Sequence, residues 1–124
     1  MHIGLIGGIG VAATEFYCRG LVARHDRSGT ALDLTIVHAD VHELTQNAAN
    51  GKAREQAESF ARLIARLAAA GAQAVAVTSM TGHFCIRELA DISPLRLINA
   101  IPEVDAMINR QNLKKVGIRE CARS

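Results

Sequence analysis

Two short stretches of this chain carry residue types that could do chemistry. The first is His2-Ile-Gly-Leu-Ile-Gly-Gly-Ile-Gly10, an apolar run that ends in glycines. Ile3, Leu5 and Ile6 suit a buried strand, and a helical pattern opens directly afterwards. A strand that runs through glycines into a helix gathers backbone N–H groups at a helix N-terminus, where a carboxylate or phosphate can be held. The alternative is that the glycines only make a tight strand-to-helix turn. The second stretch is Ala74-Val-Ala-Val-Thr-Ser-Met-Thr-Gly-His83. Here a strand of small apolar residues ends in Thr78, Ser79 and Thr81, whose hydroxyls suit either a ligand or the cap of a following helix.

Other candidates carry less. Gly4-x-x-Gly7-Gly8-x-Gly10 is not a clean dinucleotide fingerprint, because no acidic residue ends the second strand at the expected place, although Asp40 comes near. His38 and His42 straddle a strand end rather than share a helix face, so no metal site is read there. His83 reads as a first-turn helix residue with a structural role. Cys18 lies next to a buried helical face and reads as a small core residue. Cys85 packs in the helix after the strand that ends at Thr78.

The elements that would position these residues alternate regularly. Residues 2–7 read as the first strand. From Val11 to about Arg27, Ala13, Phe16, Tyr17, Gly20 and Leu21 recur at helical spacing and predict one apolar face. Asp33 to Ala39 reads as a second strand, and Val41 to Ala49 as a loop with a short helix. Residues 52–70 give the clearest helix, with Ala57, Phe60, Ala61, Ile64, Leu67 and Ala68 in one stripe and Gly71 as its stop. Ala74 to Thr78 is a third strand, followed by a helix from about His83 to Ala90. Leu95 to Ile98 is a short fourth strand. Pro102 suits the first turn of a helix to about Gln111, and Lys115 to Ile118 would be a fifth strand. This β-α alternation predicts a three-layer α/β sandwich around a parallel sheet, in the order 2-1-3-4-5. Ligands of such sheets sit at the carboxyl ends of the strands.

Composition narrows the class. With 124 residues and 49% hydrophobic content, the chain can bury one core and not two. A net charge of +2 and an aromatic content of 3% argue against a nucleic-acid surface. No apolar run approaches a membrane span and no signal peptide is evident. Three widely spaced cysteines, Cys18, Cys85 and Cys121, form neither a disulfide framework nor a zinc pattern and fit a reducing cytoplasm.

The two stretches, with Val37-His-Ala-Asp40 and the helix ending in Ala-Ala-Gly71-Ala between them, resemble the aspartate/glutamate racemase family. The resemblance runs from residue 1 to about 118 and is to the N-terminal half of that family. It implies an α/β domain over 1–118, with 119–124 as an irregular tail. The activity it implies is cofactor-independent interconversion of L- and D-acidic amino acids or related acids. In that chemistry one cysteine thiolate takes the α-proton and a second thiol returns one to the opposite face. The resemblance places the small carboxylate substrate against Gly8, Ile9, Gly10, Ser79, Met80 and Thr81.

This sequence departs from the family pattern at the reacting positions. Thr78 stands where the first cysteine is expected, or Ser79 in a shorter alignment of the same motif. Met80 stands in place of the motif's Asn, while Thr81 and His83 are retained. A hydroxyl is a far weaker acid than a thiol, and loss of a general base costs about 10²–10⁴-fold in rate. The family's second domain, with its second cysteine, does not follow Val116-Gly-Ile118. The ending Arg119-Glu-Cys-Ala-Arg-Ser124 fits a truncated or frame-shifted gene or an artificially shortened chain. The expectation is therefore an impaired racemase, or a non-catalytic remnant that binds a carboxylate or self-associates. A surface evolved for contact and left bare predicts a homo-oligomer, through the loops after the first and third strands or the helix bearing Ala12, Phe16 and Tyr17.

Overall fold

The computed structural model describes residues 1–8, 10–78 and 81–98. Within them, β1 (His2–Gly7), β2 (Asp33–His38), β3 (Ala74–Val77) and β4 (Arg96–Leu97) form one parallel sheet in the order β2-β1-β3-β4. The predicted Pro102 helix, the fifth strand, the 1–118 boundary and the 119–124 tail lie outside the described residues.

β1 is the centre of the sheet. Its register pairs Gly7 with His38 on one side and Ile6 with Val77 on the other. Being covered on both faces, it is apolar nearly throughout rather than alternating. Ile3, Leu5 and Ile6 are fully buried.

Alternate side chains of the sheet serve two different cores. On one face α2 (Val41–Ala49), α3 (Ala53–Ala69) and α4 (Ile86–Ile92) pack over Ile6, Val75 and Val77. α3 supplies Ala57, Phe60, Ile64 and Leu67, all fully buried and spaced three or four apart as one helical stripe requires. Leu67 lies so close to the sheet that a Cβ at Gly4 would meet its Cδ1 at 2.8 Å. Glycine is what lets helix and strand approach there. Buried Gln56 ties α3 to α2 by accepting a hydrogen bond from Asn47 Nδ2 at 2.8 Å.

On the other face α1 (Val11–Ser28) covers Ile3, Leu5, Ala74, Ala76 and Ile98 through Leu21, with Tyr17 packed alongside. Here the predicted apolar face of α1 needs correction. Its buried residues are Leu21 and His25, and Phe16 is 68% exposed. Adjacent helical residues point about 100° apart, so Phe16 and Tyr17 cannot both face the sheet, and Tyr17 takes that side.

Two other local expectations change. Residues 41–49 form a full helix, not a loop with a short helix. Asp40 caps it, its carboxylate accepting from the His42 amide at 2.9 Å, and Leu44 anchors it in the core. The helix expected from His83 is instead a 3-10 helix over Thr81–Cys85 that runs into α4. α3 stops where expected, with Gly71 at φ 102° just past its end. No helix among the described residues is long and apolar enough to cross a membrane.

Candidate functional site at the glycine loop

The chain leaves β1 at Gly7 and enters α1 at Val11, and the turn between is shaped by two close approaches. A Cβ at Gly7 would meet Thr14 Oγ1 at 2.7 Å. Gly8 adopts φ 92°, and a Cβ there would run into the His38 ring and lie 2.9 Å from the Ala39 carbonyl oxygen. Gly10 is the extended N-cap of α1 and has no side chain to satisfy the first-turn amides. No acidic residue stands in that turn. The helix therefore presents its N-terminal dipole and free amides toward the loop.

Thr14 is the hub of this corner. Its hydroxyl accepts from the Gly8 amide at 3.4 Å, donates to the Gly10 carbonyl at 3.2 Å, and lies 3.3 Å from the Thr78 hydroxyl. Thr78 is 3% exposed at the end of β3. Both its amide and its hydroxyl donate to the Ile6 carbonyl, at 3.2 and 2.9 Å. With that proton spent on Ile6, the contact to Thr14 is made by the Thr14 proton, which the Gly10 carbonyl also attracts. A buried hydroxyl anchored in this way is an acceptor and a brace, and it is not arranged to take a proton from carbon.

The structure thus brings Gly8, Gly10 and Thr78 together around Thr14. Ile9, Ser79 and Met80 lie outside the described residues, and Thr81 opens the 3-10 helix that follows β3. His83 turns back on the strand that precedes its 3-10 helix, with Nε2 3.4 Å from the Val77 carbonyl.

A cleft of about 380 Å³ opens beside the glycine loop. Gly7, Gly8 and Ile36 form its floor, and Thr14 and Cys18 stand on its helical wall. Glu15, Arg19 and His38 are at the rim. It lies over β2, on the opposite side of β1 from Thr78. Cys18, expected in the core, lines this cleft. Sequence reasoning singled out neither Thr14 nor Ile36, and considered His38 only beside His42. The available signal for Thr14 was its place four residues after Gly10, one turn into the helix. No group of three His, Cys, Asp or Glu side chains gathers among the described residues.

The other thiol among the described residues is inert by position. Cys85 is fully buried, with Sγ 3.5 Å from the Gly82 carbonyl. Burial pushes its pKa from 9.0 to about 11; the Glu88 carboxylate adds to the rise and a backbone hydrogen bond opposes it. Alkylation of the native protein at neutral pH is expected to label Cys18 and spare Cys85, as peptide mapping would read. The unfolded thiol loses its proton first, so the folded state holds more protons between pH 9 and 11. Stability should therefore fall as pH rises through that window, by roughly 2 kcal/mol. Denaturant titrations of Cys85→Ala should show a flatter pH dependence there than the parent.

The parallel sheet, its order and the flanking helices define a three-layer α/β fold. Among solved structures, the crystal structure of a putative Asp/Glu racemase from Yersinia pestis superposes with a TM-score of 0.68 at 25% identity. The match covers 89% of this chain and 49% of that one, so the chain spans about half the length of this structural neighbour. No protein-family model matches the sequence, and no curated protein matches it.

Proposed function

We propose that this chain holds an acidic amino acid or a related small carboxylate at the glycine loop, on the scaffold of a cofactor-independent aspartate/glutamate racemase, without itself exchanging the α-proton. The carrying observation is Thr78. It occupies the position that one of the two alignments of the racemase resemblance gives to the first cysteine, Ser79 holding it in the other, and its hydroxyl is buried and donated to Ile6. The uncapped N-terminus of α1 and the Gly8 turn supply amides for a carboxylate, as helix N-termini do for anions generally. The Yersinia pestis neighbour, described as a putative Asp/Glu racemase, supports an acidic amino acid as the ligand class. Free thiols at Cys18 and Cys85 fit action in a reducing cytoplasm.

Incubation of the protein with L-aspartate in deuterated water, followed by proton NMR, is expected to show no loss of the α-proton signal above a buffer control. The same samples are expected to show saturable broadening of the aspartate resonances. Catalysed exchange would refute the non-catalytic part of the reading. Absence of broadening at millimolar ligand would refute the carboxylate site.

A further inference from the structure

The cleft over β2 shares one end with the glycine turn. Gly8 and Val11 line it, and both belong to the turn whose amides are proposed to take a carboxylate. The first backbone bond of α1 runs from the Thr14 amide to the Gly10 carbonyl. The Val11, Ala12 and Ala13 amides therefore have no acceptor within the helix. From Val11 to Cys18 the helical wall extends for about 10 Å, at 1.5 Å per residue. β2 runs beside it from His38 to Ile36. A ligand anchored at the turn continues either into water or along this cleft.

What the cleft offers is carbon. Ile36 is 44% exposed and Val11 64%, large apolar side chains that the fold leaves uncovered there. Among the described residues that line it, few polar groups are available. The Thr14 hydroxyl already accepts from the Gly8 amide and donates to the Gly10 carbonyl. The Cys18 thiol is only a weak donor and acceptor. Glu15 and Arg19 are exposed at the rim, as is His38, and the first two pair with each other at 3.9 Å. A second carboxylate or an ammonium group carried inward would leave water without gaining a partner. A hydrocarbon tail would leave water favourably and cover Ile36 and Val11. The volume of about 380 Å³ lies near the lower end for small-molecule pockets, about 300–1,000 Å³.

We propose that the glycine loop takes a monocarboxylate with a short aliphatic tail, its carboxylate on the α1 amides and its tail along the cleft against Ile36 and Cys18. This rests on the carboxylate reading and narrows it, because an aliphatic acid then binds more tightly than aspartate.

Saturation-transfer NMR on the full chain, with sodium acetate, butyrate, hexanoate and L-aspartate as probes, tests the tail site. Each methylene added between acetate and hexanoate should lower the dissociation constant about two- to fourfold. Hexanoate should bind about tenfold or more tighter than aspartate. Hexanamide, with the same tail and no charge, should bind about tenfold or more weakly than hexanoate. Ile36→Thr keeps a β-branched residue in the strand and should flatten the dependence on tail length. Cys18→Leu fills the cleft from the helical wall and should do the same. Circular dichroism checks that both variants are folded. Acetate and aspartate binding as tightly as hexanoate overturn the tail site and leave the carboxylate reading standing. Hexanamide binding as tightly as hexanoate, or a chain-length dependence that both variants retain, also overturns it. If no carboxylate binds, the carboxylate reading itself fails and takes this inference with it.

Discussion

Phe60→Ala is expected to destabilise the protein by about 3–5 kcal/mol, the usual cost of emptying an aromatic site in a packed core. Phe60 is fully buried at the centre of the larger core, where α3 meets the sheet and the 3-10 helix. Its ring tip lies under Gly82, where an added Cβ would be 3.4 Å from Cζ. Truncation removes apolar contacts and also the support beneath the turn that follows β3. Native domains are stable by only about 5–15 kcal/mol, so this variant should lose much of its margin. Urea titration measures it. Leu63→Ala, at a partly buried position on the edge of the same cluster, is the control and should cost clearly less. Equal losses would show that the Phe60 site contributes no more than the edge of the cluster.

Gly8→Val is expected to cost about 2–4 kcal/mol and to abolish aspartate binding. Two penalties combine. A non-glycine residue at φ 92° is strained by about 1–3 kcal/mol. The new Cβ also enters the His38 ring and crowds the Ala39 carbonyl, so either the loop or the end of β2 must move. Either movement displaces the amides proposed to hold the carboxylate. Gly10→Ala is the informative partner. Gly10 is extended, and a Cβ there meets only Ala13 Cβ, at an ordinary 3.7 Å. That variant should remain within about 1 kcal/mol of the parent. If Gly8→Val binds aspartate normally, the carboxylate is held elsewhere.

The features legible in the sequence were those governed by local periodicity and by glycine. The stripe from Ala57 to Leu67 can be nothing but a buried helical face, and Ile3 to Ile6 before a run of glycines can hardly avoid being a central strand. The strand order follows from the β-α alternation and is borne out over the four described strands. Residues 41–49 were harder. Leu44 alone among them is fully buried, so the helix owes its existence to the Asp40 cap and one anchor rather than to a visible stripe. Phe16 misled because size and apolarity do not say which of two adjacent side chains faces the sheet. The cleft was not legible at all. It arises where Ile36 of β2 and Cys18 of α1 fail to fill the space above Gly7, and the two residues are brought together only by the tertiary fold. The role of Thr78 was equally hidden, since its partners Ile6 and Thr14 belong to another strand and another layer.

The central place of β1 has a consequence for how the protein comes into being. The six residues of β1 are synthesised before the strands that flank them on both sides. The hydrogen bond from Thr78 to Ile6 joins residues 72 apart, and that from the His2 amide to Gln73 joins residues 71 apart. Closing loops of that length costs chain entropy before any contact rewards it, and parallel pairings of this kind form slowly. The glycine loop is therefore made well before the strand that completes it. Until β3 has emerged, one edge of the apolar β1 has no strand beside it, the kind of exposed edge on which holding chaperones act. The proposed carboxylate corner is assembled in a single late step, when the third strand docks and Thr78 reaches Thr14.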